Sequence, residues 1–174
     1  MKRFTMKKAA AAVQKVLDSA RANKTMLVNG WTDDGDFLAA DGYRVYRLYA
    51  EPEGITEQLG IHPADSSLVQ KAKETVRKFL REPFSADCDY RLIDDECLPI
   101  SPDRIRQNHT VVDGVKRYRL GPDGPTYNAR YLIELLEMFP DALLYTDRKR
   151  GRLSPLYAHS PDHGDAILLP IRTW

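Results

Sequence analysis

The chain has 174 residues, of which 43% are hydrophobic and 29% charged, as in one soluble domain or one domain with an insertion. No apolar run approaches the ~20 residues that span a bilayer, and Gln14 and Lys15 interrupt the alanine-rich start, so neither a membrane protein nor a secreted one is expected. A net charge of +1 excludes a globally basic protein, and two cysteines favour a reducing cytoplasm over a disulfide framework.

The first fifty residues predict the order strand, helix and three strands. Residues 2–5 predict a short first strand, and residues 7–22 carry apolar side chains at helical spacing. The three later strands are predicted at 25–28, 37–40 and 43–49. Asp33 to Asp36 predicts a tight turn, and Asp41-Gly42 is a two-residue hairpin signal.

The middle of the chain follows another pattern and predicts an insertion or elaboration over about 62–115. A linker rich in proline and glycine, 51–65, precedes a strongly amphipathic helix at 66–81. Strands are predicted at 90–93, 110–112 and 116–120, with Asp113-Gly114 as the hairpin turn before the last.

The last fifty residues repeat the order of the first fifty. Asn128 is a helix cap, Leu132, Leu135, Leu136 and Phe139 share one helical face, and a proline follows. Strands are predicted at 143–145, 156–158 and 167–171. The two ends therefore predict one α+β domain over 1–174, in which repeat one (2–50) and repeat two (about 116–174) place two helices on one antiparallel sheet.

Several segments carry a resemblance to a known family. They are Tyr-Asn-Ala-Arg-Tyr-Leu at 127–132, Leu-Ser-Pro-Leu at 153–156, Leu-Leu-Pro-Ile-Arg at 168–172, Lys-Thr-Met-Leu at 24–27 and Ala-Ala-Asp-Gly-Tyr-Arg-Val at 39–45. They resemble motifs of the bacterial DNA polymerase sliding clamp, the beta subunit. The resemblance covers residues 2–50 and 125–172, and the middle segment has no counterpart in it.

The resemblance implies a DNA-clamp-like domain built from two strand–helix–strands repeats. Clamp subunits have three such domains, and two subunits close a ring around duplex DNA, with helices lining the hole. This chain would supply only one domain, so a ring would require further copies, as in a homo-oligomer, or partners. Clamps also bind a short peptide of a partner protein near the last strand, which implies Leu169, Pro170 and Ile171 as pocket residues here. The alternative is that Leu169 and Ile171 simply alternate into the core.

Cations on the outward helix faces are the candidate contacts to duplex DNA. They are Lys8, Lys15, Lys24, Lys71, Lys78 and Arg81. Phosphate contact requires only flexible cationic side chains on one exposed surface, and it is salt-sensitive and independent of sequence. The alternative is a solvated helix face, which Lys and Arg suit equally well.

Other titratable clusters have simpler explanations. Turn chemistry accounts for Asp41-Gly42 beside Arg44 without a ligand. His159 and His163, with two nearby aspartates, come nearest to a metal site, but Pro161 and Gly164 predict a turn between strands.

The sequence favours a non-catalytic, cytoplasmic, clamp-related accessory of replication or of a mobile element, without a cofactor. Its partners would be duplex DNA or a peptide motif of a replication or mobile-element protein. The alternatives are an interaction module that kept the clamp fold without binding DNA and, third, a metal-dependent enzyme that uses His159 and His163.

Overall fold

The computed structural model describes residues 3–23, 30–50, 67–81, 83, 85–93 and 100–172. The helices in these ranges are α1 (Met6–Asn23), α2 (Ser67–Arg81), α3 (Pro102–Asn108) and α4 (Ala129–Met138), with a 3₁₀ segment at Arg148–Leu153. The strands are β1 (Gly30–Asp33), β2 (Asp36–Ala40), β3 (Arg44–Leu48), β4 (Tyr90–Leu92), β5 (Thr110–Val112), β6 (Val115–Arg119), β7 (Thr126–Asn128), β8 (Leu143–Asp147), β9 (Leu156–Ser160) and β10 (Gly164–Leu168). None of these helices has both the length and the apolar character that a membrane span requires.

The fold is α+β, as predicted, with a seven-stranded and a three-stranded antiparallel sheet. The large sheet has the order β1-β2-β3-β10-β9-β8-β4, and the small one has the order β5-β6-β7. Three consecutive strands follow α1, and three follow α4. The two sets meet where β3 pairs with β10, from Leu48 opposite Gly164 to Arg44 opposite Leu168.

The main core lies between this sheet and two helices on one of its faces. The apolar stripe of α1 includes Ala9, Val13 and Val16, all fully buried, and α4 contributes Leu132 and Leu135. These side chains cover the inward residues of the strands, which include Phe37, Ala39, Tyr46, Leu48, Leu144, Leu156, Ala158, Ala166 and Leu168. Burial of these two apolar faces is the main force that holds the helices on the sheet.

The third long helix, α2, covers the opposite face of the sheet. Successive strand residues point to opposite faces, so Leu38 and Ala40 point away from the main core. They form a second cluster with Trp31, Val76 and Leu80, the last two from α2. The sheet is therefore covered by α1 and α4 on one side and by α2 on part of the other.

Local signals that were predicted from the sequence are confirmed. Asp34 and Gly35 have φ of 51° and 87°, and Asp113 and Gly114 have φ of 52° and 75°, which are the positive values that a tight hairpin turn needs. The side chain of Asn128 accepts hydrogen bonds from the first free N–H groups of α4.

Two predicted strands differ from the structure. Residues 3–5 are not a strand, because Phe4 stacks on the ring of His163 at 3.9 Å and the chain enters α1 directly. The final strand covers 164–168 rather than 167–171. Beyond this strand, the N–H of Leu169 donates to the carbonyl of Tyr43, and the N–H of Ile171 donates to the carbonyl of Thr126 in the small sheet. The proline between them has no N–H, so a regular ladder cannot continue. The predicted strand at 25–28 lies outside the described residues.

The middle segment contributes to both layers. Besides α2, it supplies β4, which pairs with β8 at the sheet edge. It also supplies α3, which was not predicted. In α3 the side chain of Ser101 caps the helix, a proline opens it, and Ile105 is fully buried in the main core. Seven residues are too few for an apolar period to be visible in the sequence.

Candidate nucleic-acid interface

The predicted DNA-contacting cations lie on two opposite faces of the sheet. Lys8 and Lys15 are exposed on α1, whereas Lys71, Lys78 and Arg81 are exposed on α2. Because α1 and α2 pack on opposite faces, these cations do not form one surface. Lys24 lies outside the described residues.

The surface between α1 and α4 carries both signs of charge. A cleft of about 310 Å³ separates these helices and is lined by Lys8, Ala11, Ala12, Lys15, Glu134, Glu137 and Met138. Lys15 pairs with Glu134 at 3.3 Å, and Arg106 of α3 pairs with Glu137. Acidic groups here would repel phosphates, so the predicted contacts of Lys8 and Lys15 have an unfavourable setting.

A second, larger cavity lies beside α2 and is richer in positive charge. We call it the basic groove; its volume is about 700 Å³, and it is lined by Glu74, Arg77, Lys78, Arg81, Ser85, Asp87, Cys88 and Arg150. Four cations thus face two carboxylates. Within the described residues neither Lys78 nor Arg81 forms an ion pair, so both are available to an anion.

The helix that carries these cations is tied to the sheet through Asp33. Its carboxylate accepts hydrogen bonds from Lys73 at 3.2 Å and from Arg77 at 2.8 and 2.9 Å. Burial alone would raise the pKa of Asp33, but the bonds from Arg77 and Lys73 outweigh it and lower the pKa from its ordinary 3.8. Arg77 is thereby partly neutralised, which leaves Lys78 and Arg81 as the principal cations that α2 contributes to the groove.

Arg150 comes from the 3₁₀ segment, which sequence reasoning did not single out. The segment reads Arg-Lys-Arg-Gly-Arg-Leu and is exposed. The buried carboxylate of Asp147 caps it by accepting the N–H of Lys149 at 3.0 Å, and it pairs with Arg150 at 3.3 Å. Four cations in five residues were a visible signal for an anion-binding surface.

The cluster around Arg44 is structural. Asp41 accepts the N–H groups of Tyr43 and Arg44 at 3.0 Å, which confirms the turn explanation. The fully buried guanidinium of Arg44 bonds to Asp41 and Glu134 and lies 4.0 Å from the ring of Tyr131. Burial opposes its charge, but the neighbouring tyrosine and the two carboxylates outweigh this and raise the pKa of Arg44. All of its polar contacts are internal to the fold.

The two histidines of the predicted metal cluster have different partners. His159 Nδ1 lies 2.8 Å from Asp165 Oδ1, whereas the ring of His163 stacks on that of Phe4. Asp165 also accepts the hydroxyls of Tyr157 at 2.7 Å and Tyr49 at 3.0 Å. Burial, reinforced by Asp165, raises the pKa of Tyr49 to about 12, so this hydroxyl remains a donor. The described ranges contain no group of three or more His, Cys, Asp or Glu side chains that could hold a metal.

The predicted peptide-pocket residues form a half-buried extended segment. Leu169, Pro170 and Ile171 follow β10, and the N–H groups of the two non-proline residues already bond within the chain. The cleft and the basic groove are lined by other residues. The role of Leu169, Pro170 and Ile171 as a peptide pocket therefore stays a prediction.

Comparisons of the chain with models of known protein families, with curated proteins and with solved structures find no match. The chain's own surfaces and charges therefore carry the functional argument.

Proposed function

We propose that this chain is a non-catalytic, clamp-related accessory protein that associates with nucleic acid through backbone phosphates at the basic groove. The observation that carries the proposal is the convergence of Lys78, Arg81 and Arg150, from two separate elements, on one open cavity. Cations brought together from different parts of the chain define a surface on which several phosphates can be neutralised at once.

The charge balance predicts the strength of this association. Four cations against Glu74 and Asp87 leave an excess of two positive charges among the lining residues, and Asp33 and Asp147 partly neutralise Arg77 and Arg150. An excess of this size neutralises at most about two phosphates, which gives weak, sequence-independent and salt-dependent binding. Tight association would then need several copies of the chain or a partner, in keeping with the ring that the sliding-clamp resemblance implies.

The topology supports the clamp-related part of the proposal. Two units of one helix and three strands meet at the β3–β10 ladder, with both helices on one face. This shares the helix layer and the paired strand sets that the resemblance implies, without the predicted strand at residues 3–5. Clamps direct that helix layer toward the duplex. Here the α1 and α4 layer has mixed charge and α2 carries the basic groove, so we propose contact through the α2 side instead.

The test is a binding series with labelled duplex between about 50 and 200 mM salt. We expect binding at low salt that is lost in the double variant Lys78→Glu and Arg81→Glu. The matched control, Lys8→Glu with Lys15→Glu, reverses two cations on the opposite face and should retain binding. The reverse pattern would assign the nucleic acid to α1, and an intact protein that binds neither duplex nor single strand at low salt would refute the proposal.

A second candidate is an interaction module with the same fold that does not bind nucleic acid. It is favoured by β5, an edge strand of the small sheet, where Val111 is 60% exposed and Val112 41%. Exposed apolar edge strands pair readily with other chains. Sedimentation velocity of the intact chain and of Val111→Asp tests this reading. We expect self-association that the substitution abolishes, and a strictly monomeric wild type would remove a second copy as the partner.

A further inference from the structure

The face of the large sheet that α2 shares also carries a group of apolar and aromatic side chains, which we call the platform. It consists of Leu92, Leu143, Tyr145, Tyr157 and His159. Their strands are neighbours, with Leu92 opposite Tyr145, Tyr145 opposite Tyr157 and Leu143 opposite His159. Their sequence neighbours on β8 and β9 face the main core, and strand alternation therefore directs the platform to the other side.

Most members of the platform are accessible to solvent, whereas Tyr157 is only 4% exposed and lies beneath its neighbours. Leu92 is 54% exposed, Leu143 44%, and the His159 side chain 34%. The rings lie close together, with centroids 5.9 Å apart for Tyr145 and Tyr157 and 6.5 Å apart for Tyr157 and His159. The last two rings are nearly parallel, at 11°. Large apolar side chains grouped on an exposed sheet face indicate a binding surface.

Two of the three rings are held in place by one carboxylate. Asp165, 4% exposed, accepts the hydroxyl of Tyr157 and contacts Nδ1 of His159. Tyr157 is buried and supports its neighbours, whereas the His159 ring is accessible and, being already ordered, loses little conformational entropy when a flat ligand stacks on it. Asp165 is thus a positioning residue for the platform.

The platform begins next to the basic groove. Tyr145 and Asp147 are two residues apart on β8 and share a face, which separates them by about 7 Å. Asp147 in turn holds Arg150, a lining residue of the groove, at 3.3 Å. A ligand with an anionic backbone and flat apolar side groups could therefore contact both surfaces at once.

We propose that the basic groove and the platform form one site for single-stranded nucleic acid, with phosphates in the groove and unpaired bases stacked on the platform. This inference rests on the proposed function and specifies the class of nucleic acid that is bound. A positive groove beside accessible rings, here those of Tyr145 and His159, is the arrangement that binds single strands without sequence preference. A duplex keeps its bases paired and stacked inside, so it can use the groove but not the platform.

The test compares three labelled ligands of equal length at low salt: oligothymidine, an abasic strand with the same phosphates, and a duplex. We expect the intact protein to bind oligothymidine about tenfold more tightly than the abasic strand, since each stacked base contributes about that factor. Tyr145→Leu, which keeps apolar volume but removes the ring, should reduce oligothymidine affinity about tenfold and leave abasic and duplex binding unchanged. His159→Leu is the second variant, and thermal unfolding checks that both remain folded.

The outcomes distinguish this inference from the proposal that the basic groove binds backbone phosphates. Equal affinity for oligothymidine and the abasic strand, or no effect of either platform variant, would overturn the inference and leave phosphate binding intact. Loss of all three ligands in the Lys78→Glu, Arg81→Glu variant supports the groove as the shared phosphate site. A concentration-dependent dimer that Leu143→Asp abolishes would assign the platform to a second copy of the chain and overturn the inference.

Discussion

The guanidinium of Arg44, at the start of β3, donates a hydrogen bond to the carboxylate of Glu134 in α4, ninety residues further along the chain. The Arg44 side chain is fully buried and that of Glu134 is 9% exposed. Glu134 also pairs with Lys15 of α1. One carboxylate therefore joins both helices of the main core to the central part of the sheet.

Replacing Arg44 with methionine should destabilise the fold by about 3–5 kcal/mol, because Asp41 and Glu134 would remain as buried carboxylates without their shared cation. Urea denaturation measures the loss. Arg130→Met is the control, since Arg130 contacts the same Glu134 at 3.6 Å but is 65% exposed; it should cost less than about 1 kcal/mol. Equal costs for the two variants would contradict a special role for the buried pair.

Gly164→Ala should weaken the junction between β3 and β10. A methyl group at this position would lie 2.0 Å from the carbonyl oxygen of Arg47, and the glycine has φ of 151°. Overpacking and backbone strain together predict a loss of about 2–5 kcal/mol. Gly121→Ala has the strain, with φ of 76°, but open space around it, and should cost about 1 kcal/mol. The prediction fails if the two substitutions have equal effects on the unfolding free energy.

Asp33 should make the anchoring of α2 dependent on pH. Its folded-state pKa lies below the ordinary 3.8, so its contribution is complete above about pH 5 and is lost as the pH falls through the folded-state pKa. Asp33→Asn should cost about 1 kcal/mol at neutral pH and flatten the acid limb of the stability curve. The exposed turn residue Asp34, changed to Asn, is the control. An unaltered acid limb in Asp33→Asn would argue against this anchor.

The salt dependence of nucleic-acid binding should identify individual phosphate contacts. Lys78→Ala should reduce the slope of log affinity against log salt for a single strand by about 0.7, the value for one released contact. Lys71→Ala removes an exposed cation of the same helix that does not line the groove, and its slope should equal that of the wild type. If Lys71→Ala lowers the slope as much as Lys78→Ala, the groove is not the phosphate site.

Local chemistry explains which parts of the fold were predictable. The apolar faces of α1 and α4, the Asn128 cap and the Asp34-Gly35 turn depend on residues within a few positions of one another, and their patterns were visible in the sequence. The short helix α3 was not predicted because its local sequence signals were limited to Ser101 and the proline after it. Residues 3–5 were misassigned because Phe4 is held by His163, a contact across 159 residues of chain.

The individual cations of the candidate site could be predicted from the sequence, but their arrangement could not. The helical period alone predicts that Lys78 and Arg81 face outward from an amphipathic helix. Their partnership with Arg150 depends on the path of the chain from α2 to β4 and on the cap at Asp147. The platform depends on the register of β8 with β9, which no single strand specifies.

The sequence by itself determined the three long helices, the hairpin turns at Asp34-Gly35 and Asp113-Gly114, and the absence of an overall charge bias. These follow from backbone propensities and apolar periods, which act between near neighbours. Only the tertiary structure decided that α2 lies across the sheet from α1, that Arg44 meets Glu134, and that the groove borders the platform. Each of these depends on which apolar faces are buried together, because burial is favourable in proportion to the area removed from water and does not depend on separation along the chain.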